Sequence, residues 1–275
     1  MESLIYNIPE ARIDEHLGRN VIIRAGEDSE AFRRISPGEL GNLVYLQLPL
    51  AERDTDVWRG WGYGVPIDLR VRNPEADLAL LYAHAGLLET HPVRVSAPVA
   101  PGLGKLVKLA AALNFPVKIE GAQPETEMIR EMAEVLDLYL HRGSVSAPVE
   151  YFHSLFLSFY RDEPVNLWGV QEEDPAFTRF VREDGSETLS GRFPGKDLGA
   201  PLDSFLEKLG ERSRIGGREC GTCEFFDSCR AYFKWPDENY SCRGVSAIFR
   251  ALKAAAEELK NDLRGLERSR RSDHR

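Results

Sequence analysis

The chain has 275 residues, with 35 basic and 44 acidic side chains and a formal net charge of −9 at pH 7. This length suffices for one large domain or for a large and a small one, and the acidic balance argues against nucleic acid as a partner. The N-terminus lacks a basic start followed by an apolar run, and no stretch approaches the roughly 20 apolar residues of a membrane span. We therefore expect a soluble, cytoplasmic protein without a membrane partner.

Short β-branched runs alternate with helical patterns between about residues 20 and 170, which is typical of βα units and a parallel sheet. The runs that predict strands are residues 20–26, 42–49, 65–72, 91–98, 115–121 and 164–170. We interpret them as near-continuous apolar strands. With helices between them, they predict an α/β fold for residues 1–170, either a layered sheet or an open, partial βα barrel.

Helical periodicity fills the segments between these runs. In residues 73–89, leucines and an alanine recur at steps of three and four, which produces one apolar face. Residues 101–114 and 124–141 have the same pattern, and each opens with a proline, which the first turn of a helix tolerates. We predict a helix in each of the three segments.

Residues 151–164 are unusually aromatic. The rings belong to Tyr151, Phe152, Phe156, Phe159 and Tyr160, and they cover more than one face of a predicted helix. One interpretation is a groove for a peptide or a subunit partner. The other is a helix buried between two parts of the protein, and the preference of aromatic side chains for cores favours it.

The sequence changes character near residue 171. An Asp-Gly pair at 184–185 predicts a hairpin turn, further glycines follow at 191, 195 and 199, and helical periodicity is weak. We place a domain boundary here, so that residues 171–275 form a small second domain. A helix over residues 201–212 and another from about Val245 to Leu266 enclose a cysteine-rich segment.

All four cysteines of the chain, Cys220, Cys223, Cys229 and Cys242, lie in this segment at the spacing C-x2-C-x5-C-x12-C. Because an intracellular chain keeps its thiols reduced, metal binding is favoured over disulfides. Two thiolates separated by two residues can bind one metal centre, and the other two complete four-coordinate sulfur ligation. Structural zinc and iron–sulfur clusters share these ligands, so the spacing leaves the metal open.

Six aromatic residues are interspersed among the cysteines. They are Phe225, Phe226, Tyr232, Phe233, Trp235 and Tyr240. Such a shell excludes water from a cluster and shifts its potential. It equally forms the small core that a metal-stapled module needs, and both interpretations can hold together.

Residues 176–266 resemble the SPASM module, the C-terminal auxiliary-cluster domain of radical S-adenosylmethionine enzymes that modify peptides and proteins. The glycine-rich hairpin, the GKDLG segment, the helix, the cysteines and the final helix occur in the family's order. In that family the run C-x2-C-x5-C-x3-C is followed by a last cysteine and preceded by an upstream one, and these ligands serve two clusters. Here Phe233 stands at the x3 position and no cysteine precedes Cys220. The resemblance therefore implies one 4Fe–4S cluster on the four remaining cysteines.

Full-length members of that family also carry a C-x3-C-x2-C triad early in a partial barrel, whose cluster cleaves S-adenosylmethionine. No thiol occurs in the loop after residues 20–26. The resemblance thus implies a relative that has lost the radical-generating cluster. Its implied role is electron transfer to, or substrate presentation for, a protein partner, either a maturation enzyme or its peptide substrate.

Two other functions stay open. The first is a non-redox α/β binding or assembly protein stapled by Zn²⁺. The second is an enzyme whose chemistry lies at the carboxyl ends of the strands, where Glu120 and, less convincingly, Asp68 occur. We interpret Glu120 as a solvated strand-end carboxylate. His84, His91 and His153 stand in no metal-binding motif and are interpreted as surface or hydrogen-bonded side chains, and no catalytic residue is nominated.

Overall fold

The computed structural model describes residues 4–27, 29, 34–52, 55–121, 123–143, 146–190, 201–215 and 218–272. Its strands are β1 (Ile5–Pro9), β2 (Asn20–Arg24), β3 (Leu43–Pro49), β4 (Ile67–Arg70), β5 (Val93–Pro98), β6 (Val117–Glu120), β7 (Val149–Glu150), β8 (Thr178–Val181) and β9 (Glu187–Thr188). They form one sheet in the order β7-β6-β5-β4-β3-β2-β1-β8-β9. All neighbours are parallel except β8 and β9, so the predicted α/β fold with a mostly parallel sheet is confirmed.

The α-helices of the described residues are α1 (Asp56–Arg59), α2 (Leu78–Ala83), α3 (Leu103–Ala112), α4 (Thr126–His141), α5 (Phe152–Arg161), α6 (Leu167–Val170), α7 (Phe205–Arg214), α8 (Phe226–Cys229) and α9 (Arg243–Ser272). Helix α3 packs on β5, β6 and α4, and α9 packs on both α4 and α5. Within the described ranges, none of these helices has the length and apolar character needed to cross a membrane.

One predicted strand is wrong. Within residues 164–170, Leu167–Val170 form helix α6 instead, because the side-chain oxygen of Asn166 accepts the backbone N–H of Trp168 at 3.2 Å and caps the first turn. Strands β1 and β7 were not predicted from the sequence, and β8 and β9 were predicted only as the two arms of a hairpin. Two of them, β7 and β9, have two residues each, which is too short for a periodic pattern to develop.

The predicted hairpin joins β8 to β9. Gly185 has a φ of +86°, and Phe180 pairs with Thr188 across the antiparallel ladder. The further glycines that follow this hairpin in the sequence, at 191, 195 and 199, lie outside the described residues. The domain boundary near residue 171 stays a prediction, but the sheet itself continues past that point, because β8 pairs with β1.

The aromatic helix α5 lies in the interior. Tyr151, Phe152 and Leu155 are fully buried, and the ring of Phe159 contacts Phe225 of the cysteine segment at a centroid distance of 5.8 Å. Helix α5 packs against α9 and reaches the cysteine segment, whereas Phe156, Phe159 and Tyr160 are only partly buried. One face of the helix is therefore buried, and its position between two domains stays a prediction.

Helix α9 approaches α4 closely where it begins. A Cβ atom on Gly244 would lie 2.7 Å from Cγ1 of Ile129, closer than real contacts allow. Further along, Val245, Ile248, Phe249 and Leu252 are buried, whereas Leu259, Leu263 and Leu266 are substantially exposed. The core-facing part of the helix is therefore its first few turns.

We expect Gly244→Ala to lower the free energy of unfolding by roughly 1–3 kcal/mol, because the added methyl group must push α9 away from Ile129. The matched control is Gly265→Ala in the same helix, where an added Cβ meets nothing within 4 Å and improved helix propensity stabilises by up to about 1 kcal/mol. Urea titration of both variants measures the difference. Equal effects from the two substitutions would contradict the close approach.

Candidate functional site

The four cysteines line one cavity of about 280 Å³. Its apolar walls are Phe225, Phe226, Phe233, Val245 and Phe249. The lining also includes the exposed residues Thr222, Glu224, Arg243 and Arg250. The thiols therefore surround an aromatic-walled space that opens to solvent at a charged rim.

Short turns position each thiol. Cys220 lies in a 3₁₀ turn over Glu219–Thr222, Cys223 follows this turn directly, Cys229 ends α8, and Cys242 immediately precedes α9. The first turn requires glycine at its third position, since a Cβ on Gly221 would lie 2.9 Å from the carbonyl oxygen at the end of α7. Packing on α7 thus fixes the first pair of cysteines.

A carboxylate joins the two ends of the cysteine segment. Glu219 Oε2 accepts the backbone N–H of Cys242 at 3.1 Å and the Lys234 ammonium at 2.8 Å. The hydrogen bond from Lys234, which is itself buried, lowers the pKa of Glu219. The residue beside Cys220 therefore holds Cys242 in place across the cavity.

Backbone N–H groups surround the sulfur of Cys229. Arg230 and Ala231 have φ values of 46° and 60°, which turn the chain so that the N–H groups of Phe233 and Tyr232 donate to the Cys229 sulfur. Left-handed backbone at two successive non-glycine residues costs of order 1–3 kcal/mol each. Successive N–H groups of this kind form concavities that hold phosphates and iron–sulfur groups in other proteins.

Burial makes these thiols weak acids. It raises the pKa of Cys229 and of Cys242 to about 12, and it also raises the pKa of Cys220. Neighbouring cysteines add to the effect, whereas the Lys234 ammonium opposes it at Cys220 and Cys242. When free, the thiols of Cys220, Cys229 and Cys242 are therefore protonated at neutral pH, so a bound cation must displace their protons.

Tyr151 presents a buried hydroxyl near this site. Its Oη atom is buried and has no hydrogen-bond partner among the residues that the structure describes. Its ring contacts Phe233 and Phe249 of the cavity wall at centroid distances of 6.3 Å each. Burial raises the pKa of Tyr151, and the nearby Cys229 raises it further. A buried donor without an acceptor costs roughly 1–3 kcal/mol and fits a site whose occupant supplies the acceptor.

The thiols do not converge on one point. Within the described part of the chain, no three His, Cys, Asp or Glu side chains come together as ligands of a single metal ion do. Four sulfurs bound to one Zn²⁺ at about 2.3 Å would lie within about 4 Å of one another.

The cysteine segment is tied to the sheet. The Gln123 side-chain amide donates to the carbonyls of Phe233 and Asp237 at 3.1 and 2.8 Å. The Tyr240 hydroxyl donates to the Pro124 carbonyl at 2.7 Å. Because Gln123 and Pro124 come shortly after β6, these bonds hold the cysteine segment at the carboxyl end of that strand.

A second cavity, of about 470 Å³, opens at the carboxyl ends of the parallel strands. Beside and beneath it, one face of the sheet is polar and carries Gln47, Asp68, Arg70, Arg94, Ser96, Lys118 and Glu120. The register aligns Gln47, Asp68 and Arg94 across three neighbouring strands. Near-continuous apolar strands were therefore the wrong interpretation for β4 to β6, since polar residues alternate with apolar ones along these strands.

Asp68 is the centre of the polar face. It is fully buried and accepts Ser96 Oγ at 2.6 Å, Arg94 Nη2 at 2.9 Å and Gln47 Nε2 at 3.0 Å. Burial alone would raise the pKa of Asp68, but the guanidinium groups of Arg94 and Arg70 lower it well below its usual range. The side chain is a fully paired buried anion.

Glu172 completes the network from outside the sheet. Its two oxygens accept a bidentate pair of hydrogen bonds from Arg94 at 2.6 and 2.8 Å, and Lys118 Nζ lies 2.9 Å from Oε2. Burial opposes its ionisation, but Lys118 and Arg94 prevail and lower the pKa of Glu172 to about 2. Glu172 was not nominated from the sequence, because the segment before it was predicted to be a strand and contains helix α6 instead.

Glu120 is not the solvated carboxylate expected from the sequence. Arg70 donates to both of its oxygens, at 2.7 and 2.6 Å, and its side chain is only 25% exposed. The signal that reveals such residues is the strict alternation in the segments IDLR, VRVS and VKIE. Each of these segments places charged or hydroxyl side chains on the same face of the sheet.

The three histidines have structural partners. Nδ1 of His84 lies 2.8 Å from a backbone carbonyl, and the two ring nitrogens of His91 lie 3.0 and 2.8 Å from two others. Nδ1 of His153 lies 2.9 Å from the Tyr139 hydroxyl. The interpretation of these side chains as hydrogen-bonded histidines is confirmed.

Comparisons with models of known protein families, with curated proteins and with solved structures find no match. Functional inference therefore depends on the chemistry of the two cavities. One offers four thiols within aromatic walls, and the other offers ion-paired side chains at the strand ends.

We expect Glu172→Gln to lower the free energy of unfolding by about 3 kcal/mol at pH 7, because Arg94 and Lys118 lose a shared buried carboxylate. The depressed pKa means that wild-type Glu172 contributes stability above its ordinary value of 4.5, and this contribution is lost as the pH falls from 4.5 toward 2. The variant should therefore lose less stability over that interval, as measured by urea titration at several pH values.

Glu127→Gln provides the matched control, since the Glu127 side chain is 80% exposed. It should change stability by no more than about 0.5 kcal/mol. If Glu172→Gln lost as much stability as wild type when the pH falls from 4.5 toward 2, the paired state of this carboxylate would be refuted.

Proposed function

We propose that the chain is an iron–sulfur protein that binds one 4Fe–4S cluster through Cys220, Cys223, Cys229 and Cys242. The observation that carries this proposal is that every cysteine of the chain lines the same aromatic-walled cavity. When bound, such a cluster supplies one-electron transfer. Its role would be electron transfer to, or substrate presentation for, a protein partner in peptide or protein modification.

The donor set favours a cluster over zinc. The N–H groups of Phe233 and Tyr232 donate to the sulfur of Cys229, and the walls of the cavity are aromatic. Hydrogen bonds to sulfur and an apolar shell are the means by which proteins tune cluster potentials. A zinc staple without redox chemistry on the same four thiols is the alternative.

The resemblance to SPASM modules supports a single cluster. Phe233, at the position where the family has a further ligand, is buried, lines the cavity and packs on Tyr151 and Phe249. This chain therefore has an apolar wall in place of that ligand. Strands β1 to β7 lie side by side in the same order as in the chain. This order supports the related proposal that residues 1–170 form a partial βα barrel.

The exposed rim supports a partner. Glu224, Arg243 and Arg250 line the cavity and are solvent-exposed, so a docked protein could approach the thiols closely. The radical-generating triad of the family is absent from this sequence. A partner enzyme would therefore have to perform the modification chemistry, while this chain exchanges electrons or positions the substrate.

We expect protein purified without oxygen to contain about four irons per chain and to show a visible absorption that dithionite bleaches. Cys242→Ser should lose most of this iron and absorption, because it removes one of four ligands. Ala247→Ser alters an exposed residue in the second turn of α9 and should retain both. Metal analysis with an absorption spectrum measures these outcomes. Colourless wild-type protein with one zinc would overturn the cluster and support the zinc staple.

We expect Tyr151→Phe to lower the reduction potential of the cluster without reducing its iron content. The buried hydroxyl has no described partner, and its donation to the cluster or its thiolates would stabilise the more negative, reduced state. Tyr82→Phe, at an exposed position, is the control. A redox titration monitored by electron paramagnetic resonance measures the reduction potential of both variants. An unchanged reduction potential in Tyr151→Phe would show that this hydroxyl does not interact with the cluster.

A further inference from the structure

The proposed role of the cysteine site does not account for the cavity at the strand ends. Its charged lining comprises Arg24, Arg70, Lys118, Glu120, Glu172 and Glu173, with Asn7, Gln47 and Gln171 among its neutral polar groups. A volume of about 470 Å³ lies within the range of small-molecule sites. Ligands of parallel α/β folds bind at this end of the sheet.

Two of the three cations are already neutralised by carboxylates. Arg70 makes a bidentate pair with Glu120. Lys118 lies 2.9 Å from one oxygen of Glu172. Their charges are compensated within the protein, so neither group requires a ligand.

Arg24 is compensated differently. Its Nη1 donates to the backbone and side-chain oxygens of Asn7 at 2.7 and 2.6 Å, and its Nη2 donates to the Val181 carbonyl at 2.5 Å. Among the described residues no carboxylate lies within ion-pair distance of this guanidinium. Burial lowers the pKa of Arg24 to about 10, and the carboxylate of Glu183, which lies beyond ion-pair distance, offsets only part of this effect.

The Arg24 guanidinium is also held in a fixed orientation with donors to spare. It stacks on the ring of Phe180 at 3.8 Å. A guanidinium has five N–H donors, and three hydrogen bonds to neutral oxygens leave at least two donors without an acceptor in the described structure. An oriented arginine of this kind suits the planar or tetrahedral oxygens of carboxylate and phosphate groups.

We propose that this cavity binds a small molecule that carries one anionic group, a carboxylate or a phosphate monoester, and that Arg24 pairs with that group. The three carboxylates of the lining disfavour a polyanion. The rings of Phe180 and Tyr232 line the cavity and offer contact area for a planar body. This site is separate from the cysteine cavity, and the proposal does not depend on the metal.

Isothermal titration calorimetry with benzoate and with phenyl phosphate tests the proposal, and benzamide is the neutral probe of the same shape. Wild-type protein should bind at least one charged probe at millimolar or lower concentration and should bind benzamide at least tenfold more weakly. Arg24→Gln should weaken binding of that charged probe by roughly tenfold or more. Arg130→Gln, which removes an exposed arginine, should leave it unchanged. The charged probe that binds more tightly identifies carboxylate or phosphate as the recognised group.

A measurement on wild-type protein keeps the proposal testable if Arg24→Gln does not fold. Phenylglyoxal modifies accessible arginines, and peptide mass spectrometry reports the modification of Arg24 separately. The charged probe should protect Arg24 at least severalfold, while benzamide should not, and Arg130 should be modified equally with either probe. Each of three results would overturn the proposal. They are failure of both charged probes to bind, unchanged binding of the charged probe by folded Arg24→Gln, and equal protection of Arg24 by benzamide. None of these results depends on iron content, which tests the cysteine site alone.

Discussion

The carboxylate of Glu219 is the interaction on which the cysteine segment depends. It accepts the Lys234 ammonium and the N–H of Cys242, and it thereby joins the start of the segment to its end across the cavity that the four thiols line. Without this contact, the position of Cys242 would depend on helix α9 alone and the position of Cys220 on helix α7. These two helices have separate packing partners. A buried lysine with a carboxylate partner also places a positive charge near Cys220 and Cys242, where thiolates would otherwise be isolated anions in an apolar shell.

The two cavities are neighbours because one short segment belongs to both. Tyr232 lines the cavity at the strand ends, while its backbone N–H donates to the sulfur of Cys229 and the next residue, Phe233, lines the cysteine cavity. Its ring packs on Trp168 at a centroid distance of 5.0 Å. The cysteine segment therefore contributes one wall to each of the two cavities.

The sequence predicted the elements that have length and periodicity. Five parallel strands and the helices α3, α4, α5, α7 and α9 were found, because apolar residues recur there at steps of two or of three and four. The segment 164–170 was misassigned because β-branched residues outweighed the capping role of Asn166. The thiols could be nominated from spacing alone. The partners of Asp68 and Glu172 could not, because they come from strands and loops far apart in sequence and depend on sheet register. Alternating polar residues in the strands were nevertheless visible and would have identified the polar face.

The central claim is that four thiols hold one 4Fe–4S cluster, and native mass spectrometry of protein purified and sprayed without oxygen tests it most directly. The account predicts a mass that exceeds that of the unfolded chain by four irons and four sulfides, and loss of this increment in Cys242→Ser but not in Ala247→Ser. An increment of a single zinc ion, or no increment at all, would contradict it.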